Sequence, residues 1–501
     1  MSKKIYRKQS QMEKLFEKRM KSFVLQMIAG MLIVFLFAGC AAVGPDYIQP
    51  EISTPEQWRA DLNAGLTQGS MDAKMMANWW TTLNDQMLTN LIQRAVKGNL
   101  DLKEARSRIR EARAKRGISA AERFPTLDVS GSAKSSYSGE NIGSGERGEL
   151  YAAGFDANWE LDLFGGVRRS IEAAQADLET SQEDYRDVMV SLLAEVALNY
   201  VEVRTSQTRL EVAKENLKAQ TETYELTVFR FEAGLATALD MEQAKYNLES
   251  TRSQIPTLRV SLEEAKNRLA VLLGIHPGAL QADLSVKKPI PVPPLEIAVG
   301  VPAQVLRRRP DIRRAERELA AQTARVGVAT AELYPKFSLL GSIGLEALSF
   351  PDLFSTGNRT DSIGAGFSWN IFDAGVIRKN IEVQNALQEQ ALIQYEAAIL
   401  TALEDVENAL VAYSQDQLRR QSLIQATQAA ERAVDLALKQ YASGMIDFRD
   451  VLEAQRSLLS FQDQLAESDG AATSNLITLY KAFGGGWTSL MPEKALSKGK
   501  K

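Results

Sequence analysis

The chain has 501 residues, 45% hydrophobic and 24% charged, the balance of a folded protein with room for two or three domains. Its formal net charge of −4 conceals a basic start: residues 1–39 hold eight Lys/Arg against two Glu, a net of +6, which leaves −10 on the rest. So acidic a body repels nucleic acid and anionic lipid headgroups, and one cysteine excludes a disulfide framework or a multi-cysteine metal site.

The first predicted element is an export signal over residues 1–39. Lys18, Arg19 and Lys21 precede an apolar run from Phe23 to Phe37, with small residues behind it. The run is near the lower limit for a spanning helix, so an uncleaved anchor is the competing reading. Met20 offers a second candidate initiator, with Lys21 directly after it. Phe37-Ala38-Gly39-Cys40 resembles the bacterial lipobox, in which the cysteine is diacylated and becomes the first mature residue. Phe37 stands where Leu is usual. Ala41, rather than Asp, follows the cysteine, which in such lipoproteins favours the outer membrane. Residues 40–83 are then a lipidated amino-terminal segment, with Cys40 as the lipidation site and no other cofactor.

Beyond it the chain repeats itself at a constant offset of 210. Phe124-Pro125 corresponds to Tyr334-Pro335, Trp159 to Trp369, Gly234 to Gly444, Asp240 to Asp450 and Gly274 to Gly484. Repeat 1 is assigned to 84–275 and repeat 2 to 300–485. A linker at 276–299 carries Pro289, Pro291, Pro293 and Pro294, which stop regular structure. His276 opens it in a turn sequence and reads as a solvated loop residue. Residues 486–501 form a tail.

Each repeat reads as helix, two strands, very long helix, turn, helix. Neither Gly nor Pro occurs between Val167 and Ala233 or between Val376 and Ser443. Long helices are predicted at 166–233 and 376–443, each about 100 Å at 1.5 Å per residue. Small residues such as Ala173, Ala176, Ala194 and Ala197 give the pattern of a coiled coil. Shorter helices at 237–273 and 447–483 follow, so one long helix can pack against two shorter ones stacked end to end.

The strands are predicted at about 124–136, 151–163, 335–346 and 361–373. Phe155, Ala157, Trp159 and Leu161 alternate with Asp156, Asn158 and Glu160, and Ile363 to Ile371 repeat that period of two. A half-buried sheet on a soluble core would explain one such strand. All four, however, are long enough to cross a membrane when tilted, and their connections are polar and Gly-rich. Four strands cannot close a membrane barrel, and open edges in lipid cost several kcal/mol per unpaired backbone group. The chain must therefore share its barrel with copies of itself.

Several stretches together resemble the outer-membrane efflux proteins of the TolC type, in the lipoprotein branch that serves resistance–nodulation–division pumps. They are Cys40 with Gly44-Pro45-Asp46-Tyr47, Asn78-Trp79-Trp80, Leu306 to Ile312 with its Arg307-Arg308-Arg309-Pro310 core, Tyr334-Pro335, and Asp450-Val451-Leu452 with Ala454-Gln455. The resemblance spans essentially the whole mature chain. It implies an α+β membrane protein: a homotrimer with a twelve-stranded outer-membrane barrel continued by a long periplasmic barrel of helices. It implies export of small molecules (drugs, toxic compounds or metal ions), with a periplasmic adaptor and an inner-membrane pump as partners.

The helix reversals would lie at the periplasmic mouth, where the resemblance puts adaptor docking on Gly234, Leu235, Ala236, Gly444, Met445 and Ile446. Asp450 and Glu453 match the acidic rings that constrict the family's pore, and Asp240 with Tyr441 an acidic–tyrosine pair that latches helices closed. Where the family's best-studied members place an inter-subunit Arg, this chain has Ile446, so that latch is absent. Helix capping is the plainer reading of Asp240 and Asp450. The Arg307–Arg309 run, in an acidic chain and before Pro310, reads as a solvated or ion-paired helix start. A duct for type I protein secretion would share the architecture, and a structural coiled-coil lipoprotein would share the helices. An enzyme finds no support, for there is no phosphate loop, nucleophile elbow or metal constellation.

Overall fold

The computed structural model describes residues 42–51, 54–69, 72–139, 141–142, 146–293 and 296–487. The expected signal peptide and Cys40 lie outside the described residues. In chain order the elements are β1 (Leu66–Gln68), α1 (Ala73–Ala77), a 3-10 turn (Trp79–Leu83), α2 (Gln86–Gly98), α3 (Leu100–Ala121), β2 (Thr126–Tyr137), β3 (Arg147–Leu161), α4 (Gly166–Glu232) and α5 (Ala238–Leu272). The second half continues with β4 (Ile297–Val299), α6 (Pro302–Arg308), α7 (Pro310–Ala331), β5 (Lys336–Ala347), β6 (Arg359–Ser368), α8 (Val376–Ala442) and α9 (Phe448–Ala482). The helix α4 and its repeat α8 are each 67 residues long, about 100 Å of unbroken helix.

Contacts divide the chain into two units. The first contains the described residues up to Gln49 with those of Glu111–Glu179 and Arg317–Ile393. Its centre is a four-stranded antiparallel sheet in the order β2-β3-β5-β6. Directly paired residues share a face. Leu127–Ala157–Gly341–Ile363 and Val129–Phe155–Ile343 are two such rows, so the odd-numbered residues build an apolar face that turns charged only at Asp361 and the strand ends near Arg147, Glu149 and Arg359. The even-numbered face is polar, with Ser130 donating to Asp156 (2.6 Å) and Ser342 bonded to Ser362 (2.8 Å). Among the described residues nothing covers the apolar face: Val129 is 76%, Ile363 83% and Phe367 71% exposed. The strands β2 and β6 each leave one edge unpaired.

Strand boundaries move from those expected, for local reasons. The strand β3 starts at Arg147 because its pairing with β2 extends to Tyr137. It ends at Leu161 because the Asp162 carboxylate accepts from the amides of Val167 (3.2 Å) and Arg168 (2.9 Å), turning the chain into α4. The strand β6 ends at Ser368, opposite Lys336, the first residue after Pro335. Beneath the sheet the segment Val43–Asp46 is strapped down by Arg169. Its guanidinium donates to the carbonyls of Val43 (3.1 Å) and Gly44 (3.2 Å) and to the carboxylate of Asp46 (2.7 Å). Gly44 is required twice over: its φ is +87°, and a Cβ would lie 2.4 Å from the Cα of Gly327.

The second unit comprises the described residues of Pro50–Arg110, of Thr180–Glu316 and from Gln394 onward. Here the helices stack end to end. Asn99 separates α2 from α3; its carbonyl oxygen accepts from the amide of Leu102 (2.8 Å), capping α3, and its Nδ2 donates to the carbonyl of Leu272 (3.0 Å) at the end of α5. The repeat counterpart of Asn99 is Arg309, between α6 and α7. It donates to the carbonyl of Ala482 (3.0 Å), the last residue of α9 and the counterpart of Leu272, and to Asp311 (2.7 Å) and Asp405 (2.8 Å). Of the arginine run, Arg309 is thus a buried ion-paired junction rather than a solvated residue. Trp79 of the Asn78-Trp79-Trp80 stretch is buried and stacks on Tyr480 at 5.5 Å. The proline-rich linker, expected to be irregular throughout, contains β4. Past its prolines, Ile297–Val299 pair in parallel with Leu66–Gln68.

Among the described residues no helix is long and apolar enough to cross a membrane. The junction is testable at two glycines. A Cβ on Gly98 would lie 2.0 Å from the carbonyl of Leu273, whereas one on Gly117 meets nothing within 4 Å. Gly98→Ala should cost about 1–3 kcal/mol or more through overpacking. Gly117→Ala, inside α3, should stabilise by about 0.5–1 kcal/mol. Denaturant unfolding followed by helical circular dichroism measures both; equal effects would remove the junction's role.

Candidate functional site

The two helix reversals of the second unit, α4 to α5 and α8 to α9, carry every residue assigned to the mouth. Both turns are built alike. Gly234 (φ +74°) and Gly444 (φ +76°) are left-handed, and the next amides, Leu235 and Met445, reach back to the carbonyls of Arg230 (2.7 Å) and Gln440 (2.9 Å). This closes the helix end with a Schellman motif, and positive φ rather than crowding demands the glycine, since a Cβ would meet nothing at either site. The residue after the glycine usually packs back on its own helix. Leu235 and Met445 instead stay 68% exposed. Ala236 is half-buried, and Ile446 packs against the cluster described next.

Ala244, Ala437, Tyr441, Phe448, Val451 and Leu452 form a buried cluster joining the two reversals, with Tyr224 of α4 against it. The Tyr441 ring lies 5.2 Å from Phe448, and the guanidinium of Arg230 sits 4.5 Å above it. Burial raises the Tyr441 phenol above its ordinary pKa; Arg230 opposes the shift and Asp240 adds to it. The phenol is therefore neutral at physiological pH. Farther along the helices, Gln455 donates to Thr223 (2.8 Å), Arg456 to Asn247 (2.9 Å) and Arg209 to both oxygens of Asp463 (2.7 and 2.9 Å), pinning α9 to α4 and α5.

The four assigned gate residues are used differently. The Asp240 carboxylate accepts from the Thr237 amide (2.9 Å) and hydroxyl (2.7 Å), while Thr237 Oγ1 accepts from the Asp240 amide (3.2 Å). That is a capping box, and the motif Thr237-x-x-Asp240 was readable from sequence. The hydrogen bond from Tyr441 to Asp240 that the resemblance implied is not formed among the described residues; the capping box occupies the carboxylate and the ring packs under Arg230. Asp450 has Asp447, not Thr, at the matching N-cap, and no side-chain cap forms. Asp450 and Glu453 are exposed one turn apart on one face of α9, and among the described residues neither carboxylate makes a hydrogen bond or ion pair. Arg230 carries no local signal of its role, because only the packing of α4 on α8 brings it over Tyr441. Cys40 lies outside the described residues. Among those described, no cluster of His, Cys, Asp and Glu could hold a metal ion.

Comparison with known proteins agrees with this geometry. The family described as "Outer membrane efflux protein" matches twice, at residues 91–275 and 301–485, two stretches 210 residues apart at both ends. "Nodulation protein T" of Rhizobium leguminosarum bv. trifolii is 32% identical over 462 residues, covering 90% of this chain and 96% of that protein. "Probable outer membrane lipoprotein SilC" of Salmonella typhimurium is 29% identical, covering 91% and 97%. Among solved structures, the outer-membrane channel OprN superposes with a TM-score of 0.84 at 35% identity, over 89% of this chain and all of that one. Relatives of this kind are named as channels and export proteins rather than enzymes. The chain belongs to the outer membrane efflux protein family and is a protein of the outer membrane.

Proposed function

We propose that this chain is the outer-membrane duct of a tripartite efflux system. Three copies share one twelve-stranded barrel, and their long helices continue it as a tunnel through the periplasm. A periplasmic adaptor docks at the helix reversals, and an inner-membrane pump supplies the energy. The observation that carries the reading is the sheet: four membrane-length strands with an uncovered apolar face and two unpaired edges. Water would oppose that face and lipid would oppose those edges, so only lipid outside and further strands beside satisfy both. The exposed Leu235 and Met445 at the tips support docking, since isolated turns gain nothing from outward apolar residues. Cargo is small molecules as a class, drugs, toxic compounds or metal ions. Acylation of Cys40 adds an anchor just ahead of the strap that Arg169 holds.

In detergent the protein should have the mass of three chains by light scattering; a monodisperse monomer with intact β signal would refute the shared barrel. Cys40→Ser should abolish incorporation of a fatty-acid probe, and unchanged labelling would refute the anchor. Trimers should survive that substitution, because the barrel itself holds the membrane.

The gate follows from the free carboxylates. Three copies of Asp450 and Glu453 bring six like charges to one opening, which holds them only with water, cations or protons between. Asp450→Asn with Glu453→Gln should weaken block by divalent cations added from the periplasmic side in planar bilayers. Asp240→Ala with Tyr441→Phe should raise conductance by loosening the tip, the lost cap alone costing about 0.5–2 kcal/mol per copy. Wild-type block and conductance in both double variants would place the gate elsewhere.

A further inference from the structure

The helices α5 and α9 hold equivalent places in the two repeats and have the same length, 35 residues. At one equivalent position they differ mechanically: α5 carries Pro256 inside it, and α9 has Ala466 there. Proline has no amide hydrogen, so the carbonyl of Arg252 loses its helical partner, and the ring crowds the same turn. We propose that Pro256 is a hinge on which the tip half of α5, residues 238–252, pivots against the remote half, with Arg456 of α9 as the catch that holds it. The hinge does not depend on how many copies assemble, because every residue it uses belongs to one chain.

The first support is where α5 touches its neighbours. Ala244, Asn247, Leu248 and Thr251 are buried on one side of the proline, and Leu262, Ala265 and Leu269 on the other. Between Thr251 and Leu262 no residue is buried. The equivalent stretch of α9 buries Ala466, Ser468 and Gly470. A Cβ on Gly470 would lie 2.1 Å from the Thr205 hydroxyl of α4. The counterpart of Gly470 in α5 is Val260, which is 56% exposed. Tertiary packing supplies most of a helix's stability, and in α5 that packing lapses around the residue that weakens the backbone.

The second support is the groove beside the proline. It has a volume of about 620 Å³ and lies between α5 and α9, with Ser250, Ser253 and Thr257 on one wall and Ser460 and Asp463 on the other. Hydroxyl and carboxylate groups exchange protein contacts for water at little cost, so α5 can tilt here without breaking apolar packing. In the turn ahead of the proline the Ser253 hydroxyl donates to the carbonyl of Ser250 (2.7 Å), a side-chain bond of the kind that competes with the helical ladder.

The third is the hold on the tip half. Arg456 donates to the Asn247 side chain (2.9 Å) and sets its guanidinium 4.8 Å from the centre of the Tyr246 ring. It reaches from a helix that is itself pinned to α4 by Gln455 on Thr223 and by Arg209 on Asp463. Asn247 is 4% exposed, yet its Nδ2 has no partner among the described residues. Releasing the catch gives that buried amide to water, which offsets part of the bond that is lost.

The test is hydrogen exchange of the full chain in detergent, read by mass spectrometry of peptides and corrected for intrinsic rates. Amides of 241–250 should exchange together and faster than the equivalent 451–460 of α9. Pro256→Ala restores the missing donor and should slow 241–250 by about tenfold or more. Thr257→Ala, one residue on, restores no bond and should leave that segment at its wild-type rate. Arg456→Ala should speed exchange at 241–250 and leave 262–272 unchanged. Equal exchange of the two tip segments in the wild type overturns the hinge. So does slowing by Thr257→Ala as large as that by Pro256→Ala, or exchange at 241–250 that neither Pro256→Ala nor Arg456→Ala moves.

Discussion

The structure depends on one constraint, the satisfaction of backbone hydrogen bonds along a sheet that has no core behind it. In a water-soluble fold the row from Val129 through Phe155 to Ile343 would face a second layer. Here that face is bare, while the opposite face is lined by serines, glycines and carboxylates. A bilayer reverses the usual accounting, because lipid accepts the apolar side chains but offers nothing to an open edge. Strand length, face and edge all favour the proposed closed ring of several copies with the polar face inward.

The helices answer a different constraint. A helix of 67 residues needs partners along its whole length, but α3 and α5 have only 22 and 35 residues. Stacking two short helices against one long one leaves two helix ends facing each other with unpaired backbone groups. Asn99 resolves this at one junction by capping α3 with its oxygen and the last carbonyl of α5 with its nitrogen. Arg309 resolves it at the other with a guanidinium that reaches the carbonyl of Ala482 and two carboxylates. One position, 210 residues apart, thus reaches the last carbonyl of the preceding helix with two unrelated side chains, of which only Asn99 also accepts from the helix that follows. A buried Arg needs acids beside it, and Asp311 and Asp405 supply them.

What was legible in the sequence follows from this. Long stretches without Gly or Pro announced α4 and α8 to within a residue at either end, because helix continuity is a local property. Period-two alternation announced the strands, but their ends depended on which neighbour was present, and Trp369 to Ile371 read as strand although this chain offers them no partner. Three-residue strands such as β1 and β4 carry too little pattern to be seen. Arg169 over Val43 and Gly44, and Arg230 over Tyr441, join residues far apart in sequence, and nothing local distinguishes them from other surface arginines. Of the mouth residues, the turn glycines were legible because positive φ selects them. Capping by Asp240 was legible too, from Thr237 three positions earlier, whereas the same reading of Asp450 fails because Asp447 stands there and no side-chain cap forms.

That dependence is where the two repeats part. Thr237 both donates to the Asp240 carboxylate and accepts from the Asp240 amide, so the first repeat consumes its acid in closing the helix. In the second repeat Asp447 replaces the threonine. Asp447 carries no hydroxyl to donate to Asp450 as Thr237 donates to Asp240. No cap forms, and the carboxylate of Asp450 is left in solvent with Glu453 one turn behind it. The two equivalent helix starts differ at the N-cap, Thr237 against Asp447, and three residues past the acid, Gln243 against Glu453, so only the second carries a pair of exposed carboxylates. Free charge at a helix N-terminus is favourably placed against the helix dipole, so the exposed pair persists without a partner. The two helix starts thus differ in what they leave exposed: a capped acid in the first repeat, and in the second two carboxylates without partners among the described residues.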